Sequence, residues 1–166
     1  MTITNLQKEV TKALRKANCR VMCPVSINNR LTKTLGRAMF TRQGGRWVSV
    51  RIEFSGKLIQ YATEKTIMDV LLHEGAHVVA NYRTGCDQGH NHIFKAVCHE
   101  LGTSNDGYAT TVEYKDGAKP VYKFEVVCPN CGVVATYNRS GKVVQNIWRY
   151  SCGKCHSHNL KVLQSW

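Results

Sequence analysis

The sequence predicts an α+β protein in two parts. A domain of three helices and a small sheet spans residues 1–106, and a small β module spans residues 121–166, with a linker at 107–120. Three observations carry the prediction. Residues 47–54 alternate apolar and polar, the period of a strand that buries one face. Leu71-Leu72-His73-Glu74-Gly75-Ala76-His77-Val78-Val79 sets chemically distinctive polar groups inside an apolar, helix-like run. Cys128-Pro129-Asn130-Cys131 and Cys152-Gly153-Lys154-Cys155 are two C-x₂-C pairs twenty residues apart, the spacing of a four-cysteine zinc site.

Taken in order, residues 3–17 read as an amphipathic helix. Leu6, Val10 and Leu14 recur four apart, and Lys8, Lys12, Arg15 and Lys16 fall elsewhere on the wheel. Cys19 and Cys23 follow without a second ligand pair and read as structural thiols. Over residues 21–55 the pattern is that of a sheet. Val21, Cys23, Val25 and Ile27 share a face, Asn28-Asn29 makes a turn, residues 31–40 form a second strand and Gly44-Gly45 a second turn. In the third strand Val48, Val50, Ile52 and Phe54 are expected inward, with Ser49, Arg51 and Glu53 outward. Residues 63–83 form the next helix, capped by Thr63 with Glu64 in its first turn and ending near Thr84-Gly85. Residues 91–102 form a third helix, with Phe94, Val97, Cys98 and Leu101 inward and Gly102 as the stop. The turn-rich residues 103–107 mark the domain boundary.

The chemistry lies in His73-Glu74-x-x-His77. Histidines four apart on a helix project from one face, where one Zn²⁺ can take both, and the adjacent Glu74 is placed to act as general base. A catalytic zinc needs a third protein ligand and one open position. A metzincin would carry Gly at position 80 and His at 83, but Ala80 and Arg83 stand there, which excludes that class. His90, across a short polar loop, leads as third ligand, with His92 and Glu100 as alternatives.

At these residues the chain resembles the SprT-like (Spartan-type) zinc metalloproteases. The similarity rests on residues 71–77, on Gly89-His90-Asn91-His92-Ile93-Phe94, and on the C-terminal cysteine pairs; residues 30–38 also look like the strand before the family's active-site helix. Gly75 replaces a larger apolar residue, and Asn91 stands where Gly is usual; Asn tolerates the left-handed conformation better than most residues. The resemblance implies a zincin-like metalloprotease domain over residues 1–106. It further implies zinc endopeptidase activity with His73, His77 and His90 holding a catalytic Zn²⁺ and Glu74 as base, directed at proteins attached to DNA.

Cys128, Cys131, Cys152 and Cys155 are expected to hold a second, structural Zn²⁺ in a zinc ribbon whose strands run over residues 121–127, 133–139 and 146–150. Four thiolates close the shell and leave no position for chemistry. Tyr122, Tyr137, Trp148 and Tyr150 are interleaved with cations. Lys123, Arg139, Lys142, Trp148 and Arg149 are accordingly the candidate nucleic-acid contacts, although Trp148 equally suits a small module's core.

Charge sharpens the partner. Of a net +12 over 166 residues, residues 1–60 carry +10, residues 61–106 carry −3 and residues 107–166 carry +5. Basic flanks around an acidic middle suit a polyanion, most simply DNA, single-stranded or duplex. No apolar run reaches the ~20 residues that cross a bilayer, so no membrane partner is expected. The first ten residues lack a secretory pattern, and eight cysteines without one read as thiols and ligands of a reducing compartment, cytoplasmic or nuclear. A monomer is expected. The rival from another class is a non-enzymatic nucleic-acid-binding protein with two structural zincs. A third reading is a zinc hydrolase of a non-protein amide. The coordination shell at the histidines separates the first two.

Overall fold

In the computed structural model of the chain, residues 1–103, 106, 112–116 and 123–164 are described. They fall into two compact units, Met1–Lys119 and Pro120–Trp166.

The first unit opens with α1 (Ile3–Lys16), capped by Thr2, whose hydroxyl accepts from the Asn5 N–H. Leu6, Val10, Ala13 and Leu14 form its buried face, as the four-residue recurrence requires. The Gln7 side chain ties this helix to the sheet: its Oε1 accepts from the Val25 N–H at 2.8 Å and its Nε2 donates to the Cys23 carbonyl at 3.1 Å. Cys19 and Cys23 are both buried in the core.

Three strands follow: β1 (Val25–Asn28), β2 (Gly36–Gln43) and β3 (Arg46–Ser55), in the order β1-β3-β2. The Gly44-Gly45 turn joins β2 and β3 as an antiparallel hairpin, as expected. The first turn differs from expectation. Asn28-Asn29 makes no hairpin: β1 pairs in parallel with β3, Val25 opposite Ile52 and Ile27 opposite Phe54. Asn28 is spent locally, its Nδ2 donating to Glu53 and its Oδ1 accepting from the Arg30 N–H. Residues 31–35 lie outside any strand, and β2 begins at Gly36.

The strict alternation expected along β3 is also broken. Met39 pairs with Arg51 and Phe40 with Ser49, so Val50 is the extra residue of a bulge. A bulge moves the side chains on either side of it to opposite faces relative to a regular strand. Ile52 and Phe54 are fully buried as expected, but Val50 is exposed and Glu53 is buried. Glu53 tolerates burial because Asn28 donates to it and Arg37 and Arg51 pair with it at 2.8 Å.

A short helix that the sequence does not announce, α2 (Gly56–Tyr61), leads into α3 (Glu64–Thr84). Thr63 caps α3 by accepting from the Thr66 N–H, and Gly85 ends it at φ 71°, a left-handed conformation that suits glycine. After a loop comes α4 (His92–Leu101), with Phe94, Val97, Cys98 and Leu101 buried and Gly102 at φ 87°. The four helices and the sheet share one core around Leu6, Val10, Phe54, Ile67, Leu71 and Phe94. Part of the expected linker docks on this unit. Thr63 N–H donates to the Glu113 carbonyl at 2.8 Å, Lys115 N–H to the Tyr61 carbonyl at 2.9 Å, and Tyr114 bridges Ala62. Residues 104, 105, 107–111 and 117–122 of the expected break, linker and first ribbon strand, with Tyr122, lie outside the described residues.

The second unit is a three-stranded antiparallel sheet, β5 (Gly132–Tyr137), β4 (Phe124–Cys128) and β6 (Lys161–Gln164), with β4 central. Residues 146–150 are not a strand. Lys142–Gln145 forms a helical turn, α5, and Ile147–Arg149 a 3₁₀ turn, and the third strand is Lys161–Gln164 instead. The Ser140-Gly141 start and the Asn146 capping position favour local turns over a ladder. Val126, Cys128 and Cys152 are the buried residues among those described in this unit.

Candidate metal centre

His73 and His77 lie one turn apart on α3, and His90 is delivered by the loop to α4. That loop is shaped by short-range bonds. The Asp87 carboxylate accepts from the Gly89 N–H, Gly89 sits at φ 52°, and the Asn91 N–H donates to the Gln88 carbonyl. Asn91 is not left-handed. It lies at φ −77°, ψ −174°, and its Oδ1 accepts from the Ile93 and Phe94 N–H groups as the N-cap of α4. The residue that replaces the usual glycine therefore fixes the start of the helix immediately after His90.

Ring nitrogens of His73, His77 and His90 all come within 4.8 Å of one another, and His73 Nε2 and His90 Nε2 are 3.1 Å apart. Two nitrogens on one tetrahedral zinc, each about 2.05 Å from it, lie about 3.3 Å apart, so the three imidazoles fit a zinc ion. Burial, with His73 and His90 alongside, pushes His77 down to about 3, and burial lowers His90 too. Both are thereby held as neutral imidazoles, the form that offers a lone pair to a metal.

Glu74 faces the sheet beside these rings and is 6% exposed. Its Oε2 accepts from the Ala38 N–H at 2.8 Å, so β2 fixes the carboxyl. Burial raises the carboxyl to about 7 against the opposing pull of that hydrogen bond. Gly36 makes the room: a Cβ there would lie 3.0 Å from Glu74 Cγ, 3.1 Å from its Oε1 and 3.1 Å from Val70. Phe94 underlies all three imidazoles. Its ring stacks on His77 at 4.2 Å between centroids and meets His73 and His90 edge-on at 5.0 and 4.9 Å.

The alternative third ligands are placed elsewhere. Both Glu100 oxygens accept from Arg83 at 2.8 and 2.9 Å, and Arg83 also donates to the Ala17 carbonyl. His92 is exposed at the start of α4 and outside the histidine cluster. Among the described residues, no fourth His, Cys, Asp or Glu joins His73, His77 and His90.

The sequence matches the SprT-like family over residues 3–114. The chain belongs to the SprT-like family. No curated protein and no solved structure gives a match. Met1–Lys119 thus contains an SprT-like domain of the metallopeptidase-like kind, and the family match ends before the cysteine module.

In that module, sulfur atoms of Cys128, Cys131, Cys152 and Cys155 lie within 4.8 Å of one another, and Cys128 and Cys155 are 3.5 Å apart. Sulfurs about 2.3 Å from one tetrahedral zinc lie about 3.8 Å apart, so this cluster also fits. The β4–β5 turn makes the first knuckle, with Gly132 at φ 73°. The second is closed by the His156 N–H donating to the Cys152 carbonyl. Backbone N–H groups of Cys155 and Lys154 draw Cys152 down to about 6, while the neighbouring thiols, Cys155 foremost, push Cys131 up to about 12. A second thiolate among four sulfurs needs a cation, which is what a divalent metal supplies. Neither His156 nor His158 belongs to the cluster.

Lys123, Arg139, Lys142, Trp148 and Arg149 are all exposed. Trp148 is 66% exposed, so its ring is not the core of the module. Gly36, the Ala38 N–H and the position of Phe94 under the rings are the site features that sequence reasoning missed. Phe94 is legible only as an inward residue four places after His90, and a backbone N–H leaves no compositional trace.

Proposed function

We propose that the chain is a zinc-dependent endopeptidase that cleaves DNA-bound or DNA-crosslinked proteins in a DNA-dependent manner. The observation that carries the reading is the convergence of His73, His77 and His90 with no fourth His, Cys, Asp or Glu among the described residues, beside a Glu74 held by the Ala38 N–H. One position at a zinc bound there is left for water and substrate, as in catalytic sites, whereas a structural site is closed. When bound, the zinc supplies a Lewis acid that polarises the scissile carbonyl and lowers the pKa of water.

The chain's own residues do the rest. Glu74 Oε2 is fixed by β2, and the carboxylate takes the proton of the attacking water and returns it to the leaving amine nitrogen. Phe94 packs against the three imidazoles, and burial keeps His77 neutral. The four cysteines hold a second zinc that folds the C-terminal module. Exposed Trp148 and Arg149, with Lys123, Arg139 and Lys142, give that module an aromatic and basic surface suited to DNA. The basic flanks support the same partner.

The test is Glu74→Gln assayed on a DNA-bound protein, with zinc content measured alongside. Loss of cleavage with two zincs retained supports the reading; persistent cleavage with both zincs present removes Glu74 as base. DNA dependence is tested separately. Cleavage that is equal with and without DNA overturns that clause and leaves the endopeptidase.

A further inference from the structure

The first unit carries an aromatic and cationic corner that the metal chemistry does not use. Trp47 is the second residue of β3 and is 41% exposed. Its cross-strand partner in the β2–β3 hairpin is Arg42, and Arg46 precedes it. On this unit Arg37 and Arg51 pair with Glu53, and Arg83 pairs with Glu100. Arg42 and Arg46 are exposed and have no carboxylate partner among the described residues. Tyr82, 49% exposed, lies on the adjoining turn of α3.

This corner is rigidly mounted. The Trp47 N–H donates to the Gly85 carbonyl at 2.9 Å, and Asn81 Nδ2 donates to the Trp47 carbonyl at 3.0 Å. The Ser49 hydroxyl donates to Asn81 Oδ1 at 3.1 Å. Arg46 lies over Gly85, where a Cβ would come within 2.8 Å of its Nε. Asn81 follows His77 by one helical turn, and Gly85 by two, so the corner is about 6–12 Å along the helix from His77.

We infer that this hairpin corner is a second nucleic-acid contact, on the metalloprotease unit itself, which takes single-stranded nucleic acid by stacking an unpaired base on Trp47 and neutralising phosphates with Arg42 and Arg46. An exposed ring can stack only on a base that is not already stacked in a duplex, and uncompensated guanidinium groups beside it match the flanking phosphates. The proposal rests on the DNA-directed reading above and adds its geometry. A strand held here lies one to two helical turns from His77, so the polypeptide presented to the site is the part nearest its nucleic-acid attachment.

The test uses full-length, zinc-loaded protein and a fluorescein-labelled oligothymidylate of about 15 nucleotides, read by anisotropy across a salt series. Trp47→Ala is expected to weaken binding about tenfold and Trp47→Phe to restore most of it. The pair Arg42→Ala and Arg46→Ala is expected to lower the slope of log K against log salt by about 1.4. These two exposed cations lie outside the core, so the double variant decides even where Trp47→Ala fails to fold. Wild-type affinity and slope in both variants overturn the inference. If only Trp148→Ala weakens binding, the hairpin contact is overturned and the DNA reading stands. If the unaltered protein does not bind the oligothymidylate, the hairpin contact is overturned; if it binds neither this nor a duplex of the same length, the DNA reading falls with it.

Discussion

The Ala38 N–H donates to Glu74 Oε2 at 2.8 Å, so a strand of the sheet, rather than the helix that carries the carboxylate, sets its direction. Gly36, two residues earlier, leaves the space in which that carboxyl sits. Gly36→Ala is therefore expected to displace Glu74 by a few tenths of an ångström. Cleavage should fall about tenfold in kcat while zinc content is unchanged, measured by steady-state kinetics beside metal analysis.

Phe94 touches all three imidazoles, so its loss should register in metal affinity before activity is considered. Phe94→Leu is expected to weaken binding at the histidine site about 10- to 100-fold, the range seen for groups that orient ligands. Competition titration of the metal-free protein with a zinc chelator reads this directly. The cysteine site, in the other unit, should be unaffected.

Glu100→Gln separates a structural carboxylate from a metal ligand. Its pair with Arg83 is part-exposed and bidentate, so about 1 kcal/mol of stability should go, seen in denaturant unfolding. Two zincs per chain should remain. Retention of both in His92→Ala as well would leave His90 as the third ligand.

Glu53 gives a pH dependence in acid. Asn28 first, then Arg37 and Arg51, hold its carboxyl at about 2 against an ordinary 4.5, with burial opposing. A carboxyl whose pKa falls on folding stabilises the native state in full above 4.5, and the contribution drains away as pH drops towards 2. With both arginines half exposed to solvent, it amounts to about 1–2 kcal/mol. Glu53→Gln should flatten unfolding free energy against pH across that window.

Removing zinc should unfold the cysteine module selectively. Among its described residues only Val126, Cys128 and Cys152 are buried, so chelation should abolish its β-sheet signal while α1 and α3 persist. Amide exchange read module by module would show it.

Much of this was legible in the chain. Thr63 and Gly85 bracket α3 because capping and left-handed termination need those residue types. The C-x₂-C pairs mark the cysteine cluster because the spacing itself is the chemistry. The sheet was less legible. An alternating pattern cannot reveal that Val50 is a bulge, which depends on the partner strand. Nor can it show that β1 pairs in parallel with β3, since strand order is set by packing on α1 and α3 rather than by local turns. Residues 146–150 mislead in the same way: Trp148 and Tyr150 suit strands, yet the local turn prevails. At the histidine cluster the candidate ligands announce themselves, but their supports, Gly36, Ala38 and Phe94, are visible only once distant segments meet.

The guanidinium of Arg83 has a consequence for how such sites can diverge. It occupies the position ten residues after His73 where a metzincin, its helix ended three residues earlier at glycine, would carry its last histidine; here α3 runs on through it, and Arg83 locks the end of α1 to α3 and α4 through Ala17 and Glu100. A point change to histidine there would lose the clamp among three helices and gain no zinc donor, because position 83, six residues past His77 on the same helix, lies about 240° around it. Two solutions to the same coordination problem are thus separated in this scaffold by where the helix ends as well as by its clamp, so no single substitution converts one into the other.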